Sequence, residues 1–227
     1  MGTSQSYRSP QTARWAGFVA ALTAGVELDR VRSELFNAGN EWQEALSQAA
    51  VQSYAMSVAS LHSELSGRLA SAERPEVVVS EVLAEARRSS HEAGFSPAAP
   101  IADRAFARLI LSTLGGIEER ADGRSTPAER WEAARGSDAS VLLSRFVGEV
   151  LGQFARHAAD REAGRELGTS RSATSSSALS DALALQAAAV GQTTSIESAE
   201  RALSLDGWSS LIRRAFEAGR TLPRSSR

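Results

Sequence analysis

After Pro10 the apolar positions recur at helical spacing. Trp15, Phe18, Val19 and Leu22 follow the i, i+3, i+4, i+7 template, and Gly25 stands where such a helix would stop. Leu28, Val31 and Leu35 predict a second short helix, which Asn37, Ala38, Gly39 and Asn40 are expected to interrupt because glycine and asparagine tolerate left-handed backbone. Trp42 and Leu46 open the next one. A longer stripe runs through Val51, Tyr54, Ala55, Val58, Leu61, Leu65 and Leu69, and Arg74-Pro75 ends it. Val78, Val79, Val82, Leu83 and Ala86 belong to a helix from Glu76 to Gly94 that contains the only strand-like run, its consecutive valines. Pro97 and Pro100 then punctuate the way to Ile101, Ala105, Leu109, Ile110 and Leu114.

In the second half, Gly115-Gly116 opens a polar loop that lasts to Ser125. Thr126-Pro127-Ala128-Glu129 follows as a helix start, with a capping threonine, a first-turn proline and a glutamate that reaches back. Ser137 or Asp138 is expected to cap the longest helix, which carries Leu142, Phe146, Val150, Leu151, Phe154 and Ala158 and ends in a charged stretch from Arg156 to Glu166. Gly148 and Gly152 clear one face of it for a closely packed neighbour, since each otherwise costs about 1 kcal/mol against alanine. Thr169 to Ser177 is Ser/Thr-rich and reads as a loop or linker. Beyond it come Ala178 to Val190, a weak helix around Ile196 to Leu205, and a helix from Trp208 to Gly219 with Asp206 as its cap. The pattern predicts an all-α protein, an irregular multi-helix bundle with a flexible N-terminal tail. Residues 1–12 form that tail, 13–168 the bundle, 169–177 the linker, 178–222 helices packed on the same bundle and 223–227 a second tail.

Composition agrees and excludes several chemistries. The 227 residues include 41 alanines and 33 serines against 7 phenylalanines, 4 tryptophans and 2 tyrosines, an alphabet that favours helices over strands. All 25 basic residues are arginine, so no Schiff-base or phosphate-loop lysine exists here. Without cysteine there is no disulfide, thiolate nucleophile or cysteine-ligated metal, and no cofactor is expected. A net charge of −2 provides no bulk attraction for nucleic acid or an anionic membrane. The apolar stretch from Trp15 to Val26 is too short to span a bilayer, and the polar residues before it do not make a signal peptide; the expected compartment is the cytoplasm.

Candidate chemistry inside the bundle is sparse. Among His62, His91 and His157, only His157 has a suitable local partner, Asp160 three residues on along one helix face, and Arg161 at i+4 would repel a cation from the pair. Glu149 lies in an apolar stretch as a candidate buried carboxylate with Arg145 and Arg156 as helical partners. No nucleophile elbow, dinucleotide fingerprint or Walker loop is present. The basic stretch of Arg213, Arg214, Arg220, Arg224 and Arg227 suits a helix C-terminus and solubility better than a phosphate backbone. The bundle therefore reads as non-enzymatic.

The N-terminus differs, because no folding requirement explains its composition. Removal of Met1 would leave a free Gly2 amine on a mobile tail, and Met1-Gly2-Thr3-Ser4-Gln5-Ser6 also fits the loose myristoylation pattern, which needs a eukaryotic transferase. More specifically, Met1 to Tyr7 resembles the Met-Gly-Thr-Ser-x-Ser-Tyr opening of the B components of the Qat bacterial anti-phage defence system. The resemblance covers about seven residues, and Arg8-Ser9-Pro10 stands where those tails continue with Gly-Gly-Pro. It implies a non-catalytic component that works beside an ATPase, a TatD-like nuclease and a QueC-like enzyme, the last modifying the tail. On that resemblance Gly2 is the modified residue and Thr3, Ser4, Ser6 and Tyr7 are its recognition context. A QueC-type enzyme activates a deazapurine carboxylate with ATP, and an unhindered glycine amine can accept it in place of ammonia. The alternative is a helical protein-protein interaction or regulatory protein whose tail is irrelevant, with a second copy of the chain among its candidate partners.

Overall fold

The computed structural model describes residues 13–115, 125–136, 138–166 and 173–221. These form eleven helices and, among the described residues, no strand. Gly2, Thr3, Ser4, Ser6 and Tyr7 lie outside the described residues, as do 169–172 of the Ser-rich segment, 223–227, and most of the loop after Gly115.

The first half follows the apolar stripes. Helix α1 (Ala13–Ala24) buries Trp15, Phe18, Ala21 and Leu22 and stops at Gly25, whose φ of 67° is the left-handed conformation that glycine adopts without a Cβ penalty. The expected interruption between Asn37 and Asn40 narrows to one residue. Asn37 and Ala38 complete α2 (Leu28–Ala38), Gly39 makes the break, and Asn40 already begins α3 (Asn40–Leu46). Helix α4 (Ala49–Ser71) buries Val51, Tyr54, Ala55, Val58, Leu61, Leu65 and Leu69. It lies antiparallel to α5 (Pro75–Glu92): Ser90 donates to the Ala50 carbonyl at 2.7 Å, while near the other end Arg68 pairs with Glu85 at 2.9 Å. The consecutive valines are helical, because packing of Val78, Val79 and Val82 against the core overrides a weak strand preference.

Helix α6 (Ala99–Leu114) ends on left-handed Gly115, and α7 (Pro127–Arg135) starts on the predicted capping box of Thr126 and Glu129. Asp138 caps α8 (Ala139–Glu166), accepting from the Ser140 amide at 2.8 Å. This helix packs on α4, α6, α7 and α9, and its aromatic side chains reach further elements. Phe154 meets Phe36 of α2, Trp42 of α3 and Phe216, while Phe146 meets Phe106 of α6 and Trp208. Phe216 and Trp208 belong to α11, so α8 forms the axis of the core.

Helix α9 (Ala173–Thr193) corrects the expected linker at 169–177. Residues 173–177 are already helical, since serine and threonine lower helix propensity only slightly and extending an established helix costs little. It runs antiparallel along α8, with Asp181 paired to Arg156 at 2.6 Å and Gly191 against Gly148. The cleared face at Gly148 and Gly152 is where α9 approaches: a Cβ on Gly148 would lie 2.8 Å from the Ala188 carbonyl oxygen. The weak helix near Ile196 contracts to α10 (Ala199–Ala202). Asp206 is not the cap of the last helix, α11 (Leu205–Arg220). Ser204 is, its hydroxyl accepting from the Gly207 amide at 3.1 Å, and Asp206 falls in the first turn, where its charge still favours the helix N-terminus.

Candidate functional site

His157 and Asp160 project from α8 into one polar pocket, as their spacing predicts. Arg104 of α6 lines it too, together with Gln153, Arg156 and Arg161 of α8, around a volume of about 310 Å3. Nothing near position 157 in the chain announces Arg104, which enters because α6 packs against α8. The His157 ring sits edge-on to Trp42 of α3 with centroids 5.4 Å apart. Asp160 accepts a hydrogen bond from the Ser180 hydroxyl of α9 at 2.5 Å.

Glu149 does not join this pocket. It lies eight residues, roughly 12 Å, back along the helix axis. Its carboxylate pairs with Arg108 of α6 at 3.3 Å, in place of the expected helical partners. Arg145 is committed instead to the Ala134 carbonyl at 3.0 Å and the Thr113 hydroxyl at 3.1 Å, and Arg156 to Asp181. Burial raises the Glu149 pKa above the usual carboxylate value, against the opposing pull of Arg108, Arg145 and Arg156. The three polar residues singled out on α8 are thus two sites: an arginine-lined pocket and an interhelical ion pair.

The imidazole of His157 is held towards its neutral form. Burial is the main cause, Arg161 and Arg104 add like-charge repulsion, and Asp160 opposes them. A histidine whose folded-state pKa is depressed contributes stability that is fully present above its unfolded value near 6.5 and is lost as the pH falls through the folded value. Between about pH 7.5 and pH 5.5 the parent protein is therefore expected to lose more thermal stability than His157→Gln does, and equal losses in the two proteins would contradict a depressed pKa.

Two carboxylates that sequence reasoning passed over hold the frame. Glu162, 4% exposed, accepts from the Trp15 indole at 3.1 Å and so ties α1 to α8 across 147 residues. Asp103 accepts from Nε and Nη2 of Arg87, at 2.8 and 3.1 Å, beside a second cleft that also contains Tyr54, His91 and Phe95. Phe95 is 83% exposed. The C-terminal arginines are not one free patch: Arg220 donates to the Phe36 carbonyl, Asn40 and Gln43, fastening α11 to the junction of α2 and α3. Arg224 and Arg227 lie outside the described residues.

Among the described residues no group of three or more histidine and acidic side chains is placed to hold a metal ion, and no helix is long and apolar enough to cross a membrane. No protein-family model, curated protein or solved structure matches the chain.

Proposed function

We propose that the chain is a non-enzymatic, cytoplasmic component of a bacterial anti-phage defence module, in which the helical body carries an N-terminal tail for covalent modification at Gly2. The observation that carries this reading is the sequence Met1-Gly2-Thr3-Ser4-Gln5-Ser6-Tyr7, which resembles the opening of Qat B components. A QueC-like partner would adenylate a deazapurine carboxylate with ATP, releasing pyrophosphate. Attack by the Gly2 amine would form an amide bond and release AMP, with the amine proton passing to solvent. Thr3, Ser4, Ser6 and Tyr7 would be read by the modifying enzyme, and an ATPase and a nuclease would dock on the body.

The mounting of α1 supports a presenting role. Ala13 and Arg14 are exposed at its start, while Trp15 and Phe18 are buried, with the Trp15 indole bonded to Glu162. The chain thus leaves a fixed point of the core at an exposed position. Phe95 supports docking, because a phenylalanine at this exposure lining a largely apolar cleft is the kind of anchor that protein interfaces use.

Intact-protein and N-terminal peptide mass spectrometry on material co-expressed with its native gene neighbours tests the proposal. An added mass on Gly2 is expected, and Gly2→Pro, a secondary amine, should abolish both the adduct and defence while thermal stability stays unchanged. An unmodified Gly2 in the presence of an active QueC-like neighbour would overturn it.

A further inference from the structure

We infer that the pocket between α6 and α8 binds the phosphate group of a small soluble molecule, gripped between the guanidinium groups of Arg104 and Arg161. This site is independent of the tail. Its lining is rich in donors: Arg104 from α6 and Arg161 from α8, the Arg156 guanidinium, the Gln153 amide and the His157 ring, with Asp160 as the one carboxylate.

Charge bookkeeping among these side chains leaves the pocket short of an anion. Arg156 is neutralised by Asp181 at 2.6 Å, and one Asp160 oxygen already receives the Ser180 hydroxyl. Arg104 and Arg161 make no hydrogen bond and no ion pair among the described residues, although both stand close enough to His157 to repel its proton. Among the described residues two unpaired guanidinium groups thus share the pocket lining with a single carboxylate. Two other arginines of α6 and α8 are matched, Arg108 to Glu149 and Arg145 to backbone and hydroxyl oxygens. A phosphate monoester presents three terminal oxygens and two negative charges, so it can use donors from both helices at once and outweigh the repulsion from Asp160. A carboxylate brings a single negative charge and two oxygens, so it neutralises only one of the two guanidinium groups. A volume of about 310 Å3 suits a small ligand, and a net charge of −2 gives no field for a nucleic-acid backbone.

The histidine supplies the readout. The charged groups acting on it are Arg104 from α6 and Asp160 and Arg161 from α8, while α3 contributes the uncharged Trp42 ring. An anion seated between the arginines cancels their repulsion and lets the ring take up a proton at higher pH.

Ring-proton NMR of His62, His91 and His157 is followed as inorganic phosphate replaces chloride at constant ionic strength and pH. The expected result is a saturable shift confined to His157, a titration midpoint that moves up with phosphate, and an affinity about tenfold weaker in Arg161→Gln and in Arg104→Gln. Neither arginine holds another element, so both variants should keep the parent's circular dichroism and melting temperature, and Arg88→Gln on the exposed face of α5 should bind phosphate as the parent does. Shifts that rise without saturation and equally in all three histidines would overturn the site. So would unchanged phosphate affinity in both pocket variants.

Discussion

Trp208→Ala is expected to destabilise the folded chain by about 3–5 kcal/mol, the range for truncating a large buried aromatic ring. The indole is fully buried, stacks on Phe146 of α8 with centroids 6.3 Å apart, and donates to the Leu46 carbonyl at 2.9 Å. That carbonyl closes α3, where the last turn leaves oxygens without intrahelical donors, so the single contact both fills the core and satisfies a helix end. Trp208→Phe separates the two contributions. It retains most of the apolar volume and leaves the carbonyl without its indole donor, for an expected loss of about 1–3 kcal/mol. Denaturant midpoints at unchanged m value would measure both, and a loss below about 1 kcal/mol for the alanine variant would contradict the role assigned to Trp208.

The second large effect comes from adding one methyl group. A Cβ on Gly191 would stand 2.6 Å from the Cα and N of Gly148 and 2.8 Å from the Val147 carbonyl carbon, all backbone atoms of α8 that no rotamer change can move. Gly191→Ala should therefore force α8 and α9 apart, with overpacking of about 1–3 kcal/mol or more set against about 1 kcal/mol gained in helix propensity. Gly67→Ala is the matched control. Gly67 is exposed within α4 and has nothing within 4 Å of the added carbon, so the same substitution should stabilise by up to about 1 kcal/mol. Opposite signs in thermal unfolding are the expected outcome, and a stabilised Gly191→Ala would mean that the two helices are not in contact there.

Glycine also shows how far local reading reaches. Two small residues four apart on α8 predict a close neighbour, and the spacing at Gly148 and Gly152 is indeed occupied by α9. It does not name that neighbour, because Gly191 sits 43 positions later in a stretch with no distinguishing pattern. The Ser/Thr-rich run before Ala178 has loop composition, yet α9 begins at Ala173, since propensity differences of a few tenths of a kcal/mol per residue are easily outweighed in an established helix. At the last helix, Ser204 and Asp206 are both good capping residues two apart, and only the hydrogen bond to Gly207 distinguishes them.

The candidate site divides in the same way. His157 and Asp160 share a pocket because three residues along a helix is a local relation. Arg104 and Ser180 come from elements more than fifty and twenty residues away in the chain, and Glu149 turns to Arg108 although two arginines lie nearer in sequence. A carboxylate pairs with whichever guanidinium the packing delivers, and i, i+4 neighbours on one helix compete poorly once another helix face is closer.

The amino-acid sequence by itself determined the helical class, the positions of most breaks, the absence of lysine and cysteine chemistry and the resemblance of the first seven residues, because composition, periodicity and capping act over one or two helical turns. The tertiary structure alone decided that α8 is the axis of the core, that Trp15 and Trp208 are fastened to Glu162 and to the Leu46 carbonyl, and that Arg104 of α6 lines the same pocket as Arg161 of α8. Those outcomes depend on which faces meet across the bundle, and residues more than fifty positions apart carry no local sign of their partners.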